Sequence, residues 1–274
     1  MRIRIDYTTT YDYAADARDI VQLLRVQPRS GQDQTVGRWR VDVDADGALR
    51  PGTDAFGNCT HLFTADGPLR RLSVRVTGEV DTREAHGSVR GFPEPLPPAA
   101  FLRTTTLTDP DAGIASLAAG CGDGAVLDRL HALTATLFAT MAFDAGATEA
   151  ATDAATAFRQ RSGVCQDYAH IFCAAARVMG VPARYVSGHY VRADPQPAAH
   201  AWAEALVPDL GWVGFDPANG ISTTPAHVRV AVGLDYLHAA PVRGARRGGG
   251  AETLAVRVSA VEAGRSQSQL QTQA

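Results

Sequence analysis

The stretch Gly163-Val164-Cys165-Gln166-Asp167-Tyr168-Ala169-His170 opens an apolar run, Ile171 to Met179, that stops at Gly180. That placement puts Cys165 at a helix start. Backbone N–H groups without intrahelical partners gather there, together with the positive end of the helix macrodipole. Such a position favours thiolate over thiol. Cys165 is therefore a candidate nucleophile.

A thiol that attacks a carbonyl needs an imidazole to take and return the proton, and a carboxylate to hold that imidazole in one tautomer. His200, in Ala199-His200-Ala201-Trp202-Ala203-Glu204, precedes apolar strand residues and would be a rigid base. Asp216, in Trp212-Val213-Gly214-Phe215-Asp216-Pro217-Ala218-Asn219-Gly220, is held extended by the following proline, which suits a strand end facing a cleft. The order and context of these residues resemble the transglutaminase-like superfamily, in the bacterial branch with a strand-rich N-terminal region. The resemblance covers Arg161–Gly188, Ala199–Gly220 and Val228–Gly250. It departs at Leu234, where an arginine commonly stands in Val-Gly-x-Asp-Tyr, and at Ala245-Arg246 before the Arg-Gly-Gly-Gly run. It implies a papain-like core, with the thiol-bearing helix packed on an antiparallel sheet that carries the base and its orienter.

Other residues compete for these roles. His189, in Ser187-Gly188-His189-Tyr190, ends a strand near the site and is the strongest rival to His200 as base. His170 lies five residues beyond Cys165, roughly 140° around the helix, and points away from the thiol. Asp167 complements the dipole of the first turn. Cys173 sits among apolar residues in mid-helix and reads as core; Cys59 and Cys121 have no convincing partners. Gln166, His189, Trp202 and Glu204 are placed at the border of the site, the last two on the same strand face as His200.

Metal chemistry finds little support in the spacing. Asp42-Val43-Asp44-Ala45-Asp46-Gly47 matches the first half of a calcium loop, but Thr53 stands where a bidentate glutamate is required. A hairpin turn with outward aspartates is the simpler reading. Cys165, His170 and Cys173 lack the paired spacing of a zinc set. No cofactor is expected.

The chain has 274 residues, is 45% hydrophobic and carries a formal net charge of −3. It has no lysine, all 26 basic residues being arginine. There is no basic stripe for nucleic acid and no apolar run of the roughly 18–20 residues that cross a bilayer. The N-terminus alternates charged and apolar residues, unlike a signal peptide, and the four cysteines are scattered. A cytoplasmic location is the expectation.

Alternation at Ile3, Ile5, Tyr7, at Trp39, Val41, Val43 and at Leu72, Val74, Val76 predicts half-buried strands. Turn signals at Asp46-Gly47 and Phe56-Gly57-Asn58 suggest hairpins. A sandwich-like β domain over 1–90 is expected, then a proline-rich linker over 91–100. Helices are predicted over 125–143 and about 150–159, and strands over 184–187, 201–207 and 212–216, with a turn at Pro195-Gln196-Pro197. A last strand runs through Leu254, Val256 and Val258. The reading is an α+β fold, with a catalytic core over 101–262 and a disordered tail over 263–274. The implied chemistry is thioester-mediated acyl transfer on a peptide or protein substrate. Hydrolysis and transamidation would use the same residues. A non-catalytic peptide-binding module would be marked by loss of one of the three, and none is lost.

Overall fold

The computed structural model describes residues 1–192 and 199–263. The predicted turn at 195–197 and, from residue 264, the predicted tail lie outside the described residues. The fold is α+β, built on two antiparallel sheets with helices against the second.

The first sheet is organised by one long strand, β1 (Arg2–Gln27), with β2 (Gln34–Val43), β3 (Ala48–Thr53), β4 (Cys59–Ala65) and β5 (Leu69–Thr82) in the order β2-β5-β1-β4-β3. Ile3, Ile5 and Tyr7 face inward to meet Val74, Val76 and Val80. On the other face, Arg2–Asp81, Arg4–Glu79 and Asp6–Arg75 form exposed cross-strand ion pairs, which solvent screening leaves weak. Register shifts between Asp12 and Ala17 and between Leu24 and Gln27 bend β1, so its two halves serve different neighbours. The hairpin at Phe56-Gly57-Asn58 joins β3 to β4 as expected. Asp46-Gly47 does not close a hairpin, because β2 pairs with β5 and lies at the opposite edge from β3. The acidic run is a crossover.

The chain then supplies β6 (Ser88–Val89), a 3-10 turn at Pro98–Leu102, α1 (Ala112–Gly120), α2 (Val126–Thr140), β7 (Ala142–Phe143), α3 (Ala154–Gln160), β8 (Ser162–Gly163) and α4 (Cys165–Val178). The second sheet follows: β9 (Ala183–Tyr190), β10 (Ala199–Val207), β11 (Gly211–Asp216), β12 (Ile221–Ser222) and β13 (His227–Gly233), in the order β12-β11-β10-β9-β13. After α5 (Tyr236–Ala239), β14 (Val242–Gly248) and β15 (Glu252–Glu262) pair with the two halves of β1. Residues 242–262, expected within the core over 101–262, instead complete the first sheet, while β6 crosses to pair with β11 in the second. The sheets exchange strands. The proline-rich segment between them is packed: Phe92 is buried with Phe101 and Trp212, and Glu94 pairs with Arg184.

The helical core forms where small residues allow close approach. Ala201, Ala203 and Ala205 on β10 face α4, which buries nearly every residue from Asp167 to Arg177. The sequence predicts helices at α2, α3 and α4 but not at α1, whose Ala-Gly-Ile-Ala-Ser-Leu-Ala-Ala-Gly sequence buries only Ile114 and Ala118. At the edge strand β13, two side-chain amides stand in for a neighbouring strand. Gln34 exchanges hydrogen bonds with the backbone N–H and C=O of Arg229 at 3.0 and 2.8 Å, and Asn58 does the same with Val232 at 2.8 and 2.7 Å. Those backbone groups are thereby satisfied on an otherwise open edge.

Candidate active site

The approach to Cys165 is shaped by its neighbours in sequence. Arg161 ends α3 in the left-handed conformation, φ 54°, and the two residues of β8 then pair with β7 before α4 begins. Asp167 folds back to accept the Val164 N–H at 2.8 Å and the Thr148 hydroxyl at 2.6 Å. This fixes the first turn of α4. Cys165 is half-buried at the first helical position, as the sequence predicts.

His200 enters at the start of β10, opposite Gly188 of β9. A side chain at Gly188 would collide with the Trp202 ring and the Val228 carbonyl, so glycine there lets Trp202 lie beneath the site. His200 Nε2 lies 2.7 Å from Asp216 Oδ2, and the same imidazole is hydrogen-bonded with the Cys165 thiol. Burial works against charging this ring, but the Asp216 and Cys165 bonds prevail and raise it to about 10. Asp216 is fully buried at the end of β11. Burial would favour its neutral form, yet the hydrogen bonds from His200 and His227 hold it well below the usual carboxylate range. The structure thus brings Cys165, His200 and Asp216 into one chain of contacts.

Two residues that carry no sequence motif also converge on Asp216. Asn219, in the turn after β11, donates from Nδ2 to Asp216 Oδ2 at 2.5 Å and from its backbone N–H to Oδ1 at 3.3 Å. His227, the first residue of β13, places Nε2 at 3.1 Å from the same Oδ2. The signals were slight: an asparagine three residues beyond Asp216, and a histidine opening an alternating apolar stretch.

The residues expected at the border divide. Gln166 sits in the first turn beside Cys165, its amide donating to the Ala150 carbonyl at 3.1 Å. Trp202 is buried under the site, with ring centroids 6.1 Å from His200 and 5.2 Å from His227. His189 is turned toward the first sheet, 6.2 Å from the Tyr7 ring, buried with Nδ1 unpartnered and pushed down to about 4 by burial. It does not join Asp216. Glu204 shares the strand face of His200, but its carboxylate lies deeper, held by Arg184 at 2.6 Å and Arg229 at 2.7 Å. It closes a buried ion cluster instead of lining the cleft. His170 accepts the Tyr236 N–H at 3.0 Å on the far side of α4, and Cys173 is fully buried and pushed up to about 12 by burial.

His200, Asp216 and His227 bring potential metal-ligand atoms within 4.8 Å of one another. The contacts at 2.7 and 3.1 Å are those of N–H···O hydrogen bonds, and Asp216 Oδ2 receives a third donor from Asn219. A cation there would have to displace shared protons. Proton sharing suits an acid–base relay better than a metal cage.

Residues 115–217 match the model of the transglutaminase-like superfamily, and residues 3–81 that of the bacterial transglutaminase-like N-terminal region. An uncharacterized protein of Mycobacterium leprae is 29% identical, over 93% of this chain and 96% of its own length. A protein-glutamine gamma-glutamyltransferase of Pseudomonas aeruginosa is 35% identical over 88 residues, which are 28% of this chain and 12% of that protein. Among solved structures, a protein from Cytophaga hutchinsonii provisionally described as a cysteine protease superimposes with TM-score 0.78 at 20% identity, covering 100% of this chain and 94% of that one. With the core and the N-terminal region each matched, the chain belongs to the transglutaminase-like superfamily, in its bacterial form.

Proposed function

We propose that this protein is a cysteine-dependent acyl-transfer enzyme that hydrolyses peptide or isopeptide amide bonds through a thioester. The observation that carries the reading is the shared imidazole: His200 is bonded on one side to Asp216 and on the other to a thiol at a helix N-terminus. With Nε2 committed to Asp216, Nδ1 is the nitrogen left for the thiol. It takes the Cys165 proton, and the thiolate attacks the amide carbon. The Cys165 backbone N–H, at the helix start, would donate to the oxyanion. The imidazolium then protonates the leaving amine as the C–N bond breaks, giving the thioester. Water, deprotonated by the same imidazole, attacks the thioester carbon and releases the carboxylic acid with the thiol restored. Asp216 keeps its charge throughout and stabilises the imidazolium.

An amine in place of water would give transamidation, the activity named for the Pseudomonas aeruginosa relative. A peptide library offered with and without a primary amine, with Cys165→Ala as control and products read by mass, decides between them. Hydrolysed products that need Cys165 support the proposal; amine adducts in their place favour the transamidase. Absence of any Cys165-dependent product would sink both.

A further inference from the structure

Asp216 is a carboxylate shared between two imidazoles, and the second one has a fixed protonation state. His227 Nδ1 accepts the backbone N–H of Thr224 at 3.1 Å. A nitrogen that accepts cannot carry the proton of a neutral ring, so the proton resides on Nε2, which lies 3.1 Å from Asp216 Oδ2. Charging the ring would turn Nδ1 against the Thr224 N–H. His227 is also clamped mechanically: Tyr190 stacks on it at 4.3 Å and 27°, Trp202 meets it edge-on at 5.2 Å and 77°, and its side chain is 2% exposed. The titratable groups facing it are Asp216, His200 and the stacked Tyr190, the rings of the two histidines being 6.1 Å apart.

We infer that His227 is a positioning residue, a neutral N–H donor that fixes the Asp216 carboxylate and so aims His200 at Cys165. Asp216 Oδ2 must choose a direction among its donors. With Asn219 on one side and His227 on another, the remaining direction is that of His200 Nε2. The two extra donors also keep Asp216 ionised, so it does not take back the proton that His200 must pass to the leaving amine. The inference rests on the reading of Cys165 as nucleophile.

The test exploits the difference between donating and filling space. His227→Gln keeps an N–H near the position of Nε2, whereas His227→Phe keeps the aromatic slot against Tyr190 without a donor. Both lose the acceptor for Thr224, so that loss cancels in the comparison. Cys165 acylation by p-nitrophenyl acetate and its alkylation by iodoacetamide across pH are measured alongside thermal melting. The Gln variant should acylate within about threefold of the unmodified protein. The Phe variant should be about 10- to 100-fold slower, as for loss of a hydrogen bond to a buried charge, while melting no lower than Gln. If Phe equals or exceeds Gln in rate, His227 is packing only and the inference fails. Should Phe not fold, His227→Met replaces it, with the same expectation. If the unmodified protein and Cys165→Ala acylate alike, the nucleophile reading falls and this inference with it, an outcome distinct from failure at His227 alone.

Discussion

Asp216→Asn changes one atom and preserves shape, so its cost measures charge and proton direction. His200 is raised from 6.5 to about 10, equivalent to about 5 kcal/mol in favour of the imidazolium. That gain overcomes burial and is shared by Asp216 and Cys165. If half belongs to Asp216, the loss is about 2–3 kcal/mol, or roughly 100-fold in the equilibrium between imidazolium and imidazole. Tautomer error adds to this. Three N–H donors converge on Oδ2, and the Asn219 N–H approaches Oδ1. An asparagine can turn its oxygen to the three donors only by aiming its NH2 at the Asn219 N–H. In the reverse orientation its NH2 faces Nε2, forcing the His200 proton onto Nδ1, where the thiol's proton must go. The combined expectation is a loss of about 10²–10⁴ in acylation rate. Single-turnover acylation of Cys165 by p-nitrophenyl acetate is the assay, with circular dichroism to verify folding. A folded Asp216→Asn protein within about threefold of the original rate would refute the argument.

Iodoacetamide should label Cys165 first at neutral pH. Cys173 is fully buried and pushed up to about 12, and burial also raises half-buried Cys59 and Cys121; peptide mapping showing any of these ahead of Cys165 would contradict the assignment. Acid should destabilise the fold between about pH 6.5 and 4. Burial lowers His170 and His189 to about 4 in the folded chain, so only the unfolded chain gains their protons in that window, each costing up to about 3 kcal/mol once pH falls below it. His200 acts in the opposite sense: raised to about 10, it stabilises fully below 6.5 and its contribution is lost as pH rises through 10. Urea titrations across pH, repeated for His189→Phe, should show a shallower acid slope in the variant. Glu204→Gln should destabilise by about 3–5 kcal/mol, because Arg229 stays buried without its carboxylate while Arg184 keeps only Glu94; a variant with unchanged melting temperature would contradict the buried-cluster reading.

What could be read from the sequence was whatever had a local cause. Cys165 is announced by the helix it begins, and Asp216 by the proline that holds it extended. His200 is announced by the strand it opens. These three are the residues that the structure links. Glu204 shows where locality ends: alternation gave the right strand face, but its depth follows from Arg184 across the β9 register and Arg229 on β13. His189 reads as near the site because it closes a strand beside it, and in the structure it does pair with Ala199, next to His200. Alternation then turns its ring toward Tyr7 and away from Asp216. His227 and Asn219 had no signature beyond residue type, because their role is a convergence on one oxygen atom.

The same limit explains why the role of the N-terminal region was not legible. Its strands read correctly as a half-buried sheet, but its functional contact is made by two side-chain amides far from any motif. Gln34 and Asn58 hold the edge of β13 through Arg229 and Val232. That strand begins with His227, which touches Asp216. Thr82 adds a further tie, its hydroxyl donating to the Pro225 carbonyl at 2.6 Å in the turn just before His227. The first sheet therefore supports the segment that holds the carboxylate in place, while β14 and β15, leaving the second sheet, return to pair with β1. Each sheet depends on strands or side chains contributed by the other. A catalytic core cut free at residue 90 would lose the amides that cap β13 and expose the open faces of β14 and β15, so in this fold the N-terminal region is part of the site's support.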